Sequence, residues 1–248
     1  MATIMQSAAD RRSAERRFYT RMAWLLVALV FLGFAPSFYL YNMFSYPRPN
    51  PTLTPSVLAH GMLFTAWMLV FIAQTQLVAA GRTDLHIRLG KASMVLALAI
   101  IPAMYLVSVW QVARANQPPF TDPLNWTAIP LFSIPAYALL VWTGWNRRRE
   151  AQWHKRMMLG AAILVVMGPA LGRLPLAPPT LPGFTFQMLF GLVLFVPLIV
   201  HDRRRLGHVH AATQLAFGVA AASVVVPLLL IATGSWAPVA QHLPGVGR

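Results

Sequence analysis

The sequence contains no cysteine. That excludes disulfides, iron–sulfur ligation and thiolate nucleophiles, and leaves the redox compartment unread. Acid is nearly as scarce. Six aspartates and glutamates stand against twenty lysines and arginines, and charged residues make up only 10% of the 248 positions, where a soluble domain carries about a quarter. No Asp, Glu or Lys falls in the middle of any long apolar run, so the midplane ionisable groups of ion-coupled transporters and proton pumps are missing. The last apolar run also lacks lysine, which excludes a retinal Schiff base there.

What the sequence does have is apolar length: 57% of its residues are hydrophobic, and runs of roughly 20 such residues can cross a hydrocarbon core as helices. Seven are expected, at Met22–Phe44, Ser56–Ala79, Lys91–Val112, Trp126–Trp145, Lys155–Leu174, Phe184–Val200 and Ala211–Thr233. The expected fold is therefore an all-α polytopic membrane helix bundle over 22–233, between a basic tail (1–21) and a short C-terminal tail (234–248). Gly191 and Pro197 blur the ends of the sixth span, and Gly168, Pro169 and Gly172 predict a kink near the far end of the fifth, because proline removes a backbone donor and crowds the preceding turn. The basic tail is too long and polar for an ordinary signal peptide and is read as retained. An amphipathic surface helix and a solvated arm are both open for it.

Charge orients the bundle. With seven spans, the tail and the loops at 81–90, 146–154 and 201–210 share one side with the adjoining helix starts, and sixteen of the twenty basic residues lie there. Arg48, Arg114, Arg173 and Arg248 fall on the other side. By the positive-inside rule the N-terminus is cytoplasmic and the C-terminus outside. The net charge of +14 is thus topology plus attraction to anionic lipid headgroups, and nucleic acid is not expected as a partner. The other side carries the proline-rich loops "YPRPNPTLTP", "NQPPFTDP" and "LPLAPPTLP". Tyr46 and Trp126 there, with Trp145 and Trp153 at the basic end, suit an interfacial aromatic belt.

Against this topology three short fragments gain meaning. "HIRLGK" from His86, "HKRMM" from His154 and "HDRRR" from His201 each place an arginine two residues after a histidine. The topology brings all three to one depth at the cytoplasmic boundary, with His208 and His210 following in the third loop. Three of the six acids, Asp84, Glu150 and Asp202, flank the same fragments. Imidazoles and carboxylates at one depth are the ingredients of a metal site, His86, His154 and His201 being the candidate ligands, and two histidines on neighbouring helices can ligate haem b axially. Arg88, Arg156 and Arg203 would then hold propionates, or alternatively a phosphate or lipid headgroup. The competing reading is structural: interfacial histidines and arginines that bond lipid phosphates and loop carbonyls. Pro102 and Pro169 follow His86 and His154 at similar distances, as in a degenerate parallel repeat.

His60 stands apart, about one turn into the second span on the outer side. A polar group there is costly unless it faces protein or water. It is a candidate ligand for a second cofactor or a partner for Arg173, with Asp122 as another possible partner of that arginine.

The order of motifs, "H…(span)…LHIRLGK" then "HKRMM…GPALGRLP", resembles a family of bacterial multi-pass membrane proteins carrying histidine-arginine-x-leucine-glycine and histidine-arginine-x-methionine motifs. His60, His86, Arg88, Leu89, Gly90, His154, Arg156 and Met158 fall in those places. The likeness implies a helical bundle in a bacterial inner (plasma) membrane and supplies no mechanism. A weaker resemblance is to membrane haem proteins of the cytochrome b561 type, which bind haems through histidine pairs near both faces; His60 alone lacks an outer partner. Membrane hydrolases and receptors of the ceramidase and progestin-receptor kind share only the serine-x-x-x-histidine of "SVLAH".

Three functions follow as expectations. The first is a haem- or transition-metal-binding electron-transfer component with a redox partner or a further membrane subunit. The second is a non-enzymatic membrane subunit or lipid-headgroup scaffold. The third is a metal-dependent lipid hydrolase using Glu150 as base.

Overall fold

The computed structural model describes residues 8–44 and 50–247; Tyr46, Arg48, Arg248 and the first seven residues lie outside them. The elements are α1 (Ala8–Phe34), running on into a π-helical turn at Ala35–Tyr39, α2 (Pro55–Ala79), α3 (Thr83–Arg114), a short α4 (Pro123–Trp126), α5 (Ala128–Asn146), α6 (Ala151–Met167), α7 (Leu181–Phe190), α8 (Val196–Leu206), α9 (Ala211–Thr233) and a short α10 (Ala237–Ala240). There is no strand among the described residues. α4 with α5, and α7 with α8 through a 3-10 stretch, make single spans, giving among the described residues seven segments long and apolar enough to cross a membrane. The protein is an integral, multi-pass membrane protein.

The two largest departures from the expected boundaries are both at the basic end. α1 begins inside the expected tail: Asp10–Arg21 is helical and continuous with the first span. Two i,i+4 pairs of arginines do not stop it, because Tyr19 and Met22 on the opposite side are buried against the bundle. α3 begins at Thr83, eight residues before the expected Lys91, so His86 is a helical residue and not a loop one. The kink expected near the far end of the fifth span is present as a break: α6 stops at Met167 and the chain passes through Gly168 and Pro169 into a 3-10 turn at Leu171–Arg173.

The spans are not equivalent. In the fifth span 78% of the most apolar window is buried, against 17–39% in the other six. α6 is the central pillar, packed by α1, α5 and α9. Helices in lipid gain little from apolar transfer against one another, so close van der Waals contact must hold them, and small residues supply it. The added methyl of an alanine at Gly160 would lie 2.7 Å from the Ala216 side chain on α9, and one at Gly191 would lie 2.8 Å from the Met167 carbonyl. At Gly33 it would overlap the Ala170 carbonyl, which fixes α1 against the end of α6.

Gly33→Val should lower the melting temperature of the detergent-purified protein by an amount corresponding to about 1–3 kcal/mol of overpacking. Gly172→Ala, where nothing lies within 4 Å of the added methyl, should leave it unchanged.

Candidate functional site

Because α6 is surrounded, the arginine one turn into it is buried. Arg156 is 1% exposed and its partner Asp202, on α8, is 0% exposed. Nε of Arg156 donates to Oδ1 of Asp202 at 3.0 Å, and Nη2 donates to the same carboxylate. Nη1 turns back to the Gln152 carbonyl at 3.0 Å. The other carboxylate oxygen accepts from the Thr213 hydroxyl at 2.6 Å and from the His210 backbone N–H at 3.1 Å. Every charge in this cluster therefore has directed partners, which is the condition for a buried ion pair to be tolerated. The pair ties α6 to α8 and to the start of α9. Beside it Lys155 pairs with Glu15 of α1.

His86 and His154 do come together, with ring centroids 6.1 Å apart and planes 81° apart. Their outer nitrogens are already committed. Nδ1 of His154 donates to the Gly144 carbonyl at 2.8 Å. With its amide turned to satisfy both ends, Gln74 of α2 donates to Nδ1 of His86 at 2.6 Å and accepts from the Gly90 N–H at 2.9 Å. Nδ1 of neutral His86 is thus an acceptor and its proton sits on Nε2, so the pair presents one free Nε2 lone pair, that of His154, and not two.

The third member of the expected ring is elsewhere. His201 stacks on Phe18 of α1, centroids 4.0 Å apart, with Tyr19 at its edge. Among the described residues no group of three or more His, Cys, Asp or Glu could hold a metal ion, so the three histidines expected together are not brought into one group. The cause is that α8 faces α1 at this depth while α3 faces α6. The three arginines diverge as well: Arg156 is spent on Asp202, whereas Arg88 and Arg203 are exposed. Glu150, the expected hydrolytic base, is exposed and paired with Arg147 at 3.3 Å. Trp145 and Trp153 lie under Arg148 and Arg147, with guanidinium carbons 4.7 and 4.0 Å from the ring centroids.

His60 belongs to the opposite, proline-rich end, where all seven spans line one cavity of about 320 Å³. Its walls are largely apolar, among them Phe34, Phe64, Met104, Trp126, Leu164 and Phe184. Into it come His60 from α2, Gln111 and Arg114 from α3, Arg173 from the turn after α6 and Ser37 from the π-helical turn. Four buried atoms of this set, Nδ1 of His60, Oε1 of Gln111, Nε of Arg114 and Oγ of Ser37, have no hydrogen-bond partner. The Arg173 guanidinium is near enough to act electrostatically on His60; it also lies over the Phe34 ring at 4.2 Å and donates to the Pro169 carbonyl at 2.6 Å. Asp122 caps α4, accepting from the Leu124 and Asn125 N–H groups at 3.0 and 2.9 Å.

A strap covers this cavity. Arg114 donates to the Asn50 and Thr52 carbonyls, at 3.0 and 2.6 Å, and Asn116 Oδ1 accepts from the Asn50 N–H at 3.1 Å. Pro51 and Leu53 of the same strap line the cavity. Gly61 has a specific duty here, since a side chain there would occupy the place of the Phe38 ring. Sequence reasoning points to His60 and Arg173 here, places Arg114 on this side only by charge, and assigns Ser37 and Gln111 no part in a cavity. The available signal was a glutamine and an arginine one turn apart at the end of α3, opposite a proline-rich loop.

No family model, no curated protein and no solved structure matches this chain.

Asp202→Asn should destabilise the protein by about 3–5 kcal/mol, because it leaves the Arg156 charge buried without its counter-charge. The double replacement Arg156→Met with Asp202→Leu should be less damaging than either single change, as measured by thermal unfolding. A second expectation concerns His210, which lies outside the spans and caps α9 by accepting from the Ala212 N–H at 3.0 Å. Burial, and then the Arg156 guanidinium with His208 and Lys155, hold its imidazole below the ordinary value, against an opposing effect of Asp202. Only the neutral ring can accept. Its contribution is therefore fully present above the unfolded value of about 6.5 and is lost as pH falls through the lowered folded value. His210→Asn, which caps without titrating, should flatten the melting temperature in that acid window.

Proposed function

We propose that this membrane protein binds a small amphiphile with an anionic head in the cavity at its proline-rich end, as a non-enzymatic binding component. One observation carries the reading: a mostly apolar chamber, drawn from all seven spans, into which cationic and hydrogen-bonding groups converge with polar atoms unpaired. An unpaired buried polar atom costs about 1–3 kcal/mol, so four in one chamber favour a ligand that supplies acceptors and donors. A volume near 320 Å³ is at the small end of the range of ligand pockets. Arg173 and Arg114 suit a carboxylate head, since guanidinium–carboxylate bonds are strong and directional, and the aromatic walls suit a short hydrocarbon tail.

A second reading keeps His86 and His154 as axial ligands of a haem in an electron-transfer protein. The distance between their rings, 6.1 Å, favours it; the Gln74 bond, which places the His86 proton on Nε2, opposes it until that amide turns. A Soret band abolished by His86→Ala and by His154→Ala, but kept in His201→Ala, would establish this reading in place of the first.

The first reading is tested with a brominated medium-chain carboxylate such as bromodecanoate, using quenching of tryptophan fluorescence, because Trp126 lines the cavity. Arg173→Gln should weaken binding roughly ten- to a hundredfold, the equivalent of losing a charged hydrogen bond of about 1.5–3 kcal/mol. Ser133→Trp, which fills the chamber, should abolish it. Unchanged quenching in both variants would refute the proposal.

A further inference from the structure

A second concavity lies at the basic end, on α1 beside the end of α2. Arg12, Ser13, Arg16, Arg17, Thr20 and Arg21 line it together with Ala79, and this open cleft has a volume of about 470 Å³. Along a helix of 3.6 residues per turn these positions form two adjoining columns, Arg12–Arg16–Thr20 and Ser13–Arg17–Arg21. Glu15 and Tyr19 lie on the other side of α1, where Glu15 meets Lys155 and Tyr19 is buried. Between Asp10 and Arg21 five arginines face only two acids.

Placing like charges four residues apart opposes helix formation by a few tenths of a kcal/mol for each pair. α1 contains two such pairs in one cleft, Arg12 with Arg16 and Arg17 with Arg21. An anion held between the columns turns this repulsion into attraction. Thr20 lines the same cleft, and its Oγ1 has no hydrogen-bond partner, although a helical threonine can bond the carbonyl one turn back. Ser13 is already engaged by Arg17. The cleft ends at Ala79, the last residue of α2, level with the end of a span and so with lipid headgroups.

We infer that this cleft is a discrete phosphate-binding site, formed by the guanidinium groups of Arg12, Arg16, Arg17 and Arg21 with the Thr20 hydroxyl, and distinct from the diffuse attraction of a basic surface for anionic lipid. Guanidinium forks match phosphate oxygens bidentately. The phosphate belongs either to an anionic phospholipid headgroup or to a soluble phosphate compound, and the chemistry at the cleft is the same for both. The site is independent of the cavity at the opposite end.

The test uses the full-length protein in a zwitterionic detergent, with phosphatidylglycerol, phosphatidylcholine and pyrophosphate as probes, read by native mass spectrometry and thermal shift. Phosphatidylglycerol should bind at a stoichiometric site, and Arg12→Gln with Arg16→Gln should weaken it at least tenfold. Arg203→Gln with Arg204→Gln removes the same charge from exposed positions of α8 and should leave affinity within twofold. Thr20→Val, nearly isosteric, should weaken binding severalfold with the fold intact, which separates loss of the site from loss of structure. Competition by pyrophosphate supports the site and assigns it to soluble phosphates; retention of phosphatidylglycerol against pyrophosphate supports it and assigns it to lipid. Equal losses in the two arginine pairs, or none in either, would overturn the proposal.

Discussion

A full positive charge on the most enclosed helix of a membrane bundle is the constraint around which the basic end is organised. Arg156 has no route to water, so the chain must bring it an acid, and Asp202 is brought. The carboxylate then needs its own remaining bonds filled, and the first turn of α9 does so through Thr213 and the His210 N–H. One charge thereby decides the meeting of α6, α8 and α9. A pair of this kind adds little net stability compared with well-packed apolar residues, but it penalises every arrangement in which either charge is left alone. In a bundle held mainly by close packing and without an apolar driving force between helices, that penalty selects one register among several.

The same constraint explains how the histidines divide. Once Asp202 is drawn in to Arg156, the preceding His201 is on the side of α8 that meets α1, and it stacks on Phe18. His86 and His154 meet across α3 and α6 instead, each held through Nδ1 by a neighbouring carbonyl or amide. Three identical-looking fragments therefore have three different fates. The histidine-x-arginine spacing puts the two side chains about 200° apart around a helix, so on α3 and α8 the arginine is exposed while the histidine meets the bundle, and on the enclosed α6 both meet protein. Sharing a depth in the membrane did not make them share a site.

The two ends of the molecule contrast in what they leave unfinished. At the basic end the buried ion pair is internally satisfied, while Tyr19, Thr20 and His201 each keep one buried atom without a partner. At the proline-rich end all seven spans line a chamber in which polar atoms from the π-helical turn, α2 and α3 remain unpaired. The breaks that open it are local: the π-helical turn at Ala35–Tyr39 and the end of α6 at Met167 before Pro169. Such irregular backbone in a membrane is tolerated where it lines a cavity, and π-helical turns recur at functional positions.

Composition and run length determined that the chain is all-α with seven spans, and placed the break after Met167, because apolar length and proline geometry act locally and need no knowledge of neighbours. The charge pattern separated a basic end from a proline-rich one for the same reason. Depth along each helix was legible too, which is why His86, His154 and His201 were expected at one level. Rotation about each helix axis was not legible: α6 is apolar almost all round, so its sequence carries no stripe to say which way Arg156 or His154 points. Only the packing of α1, α5, α8 and α9 around that pillar decided which side chains meet, and with it that Arg156 finds Asp202, that His201 is drawn away from the other two imidazoles, and that His60 opens onto a chamber shared by all seven spans.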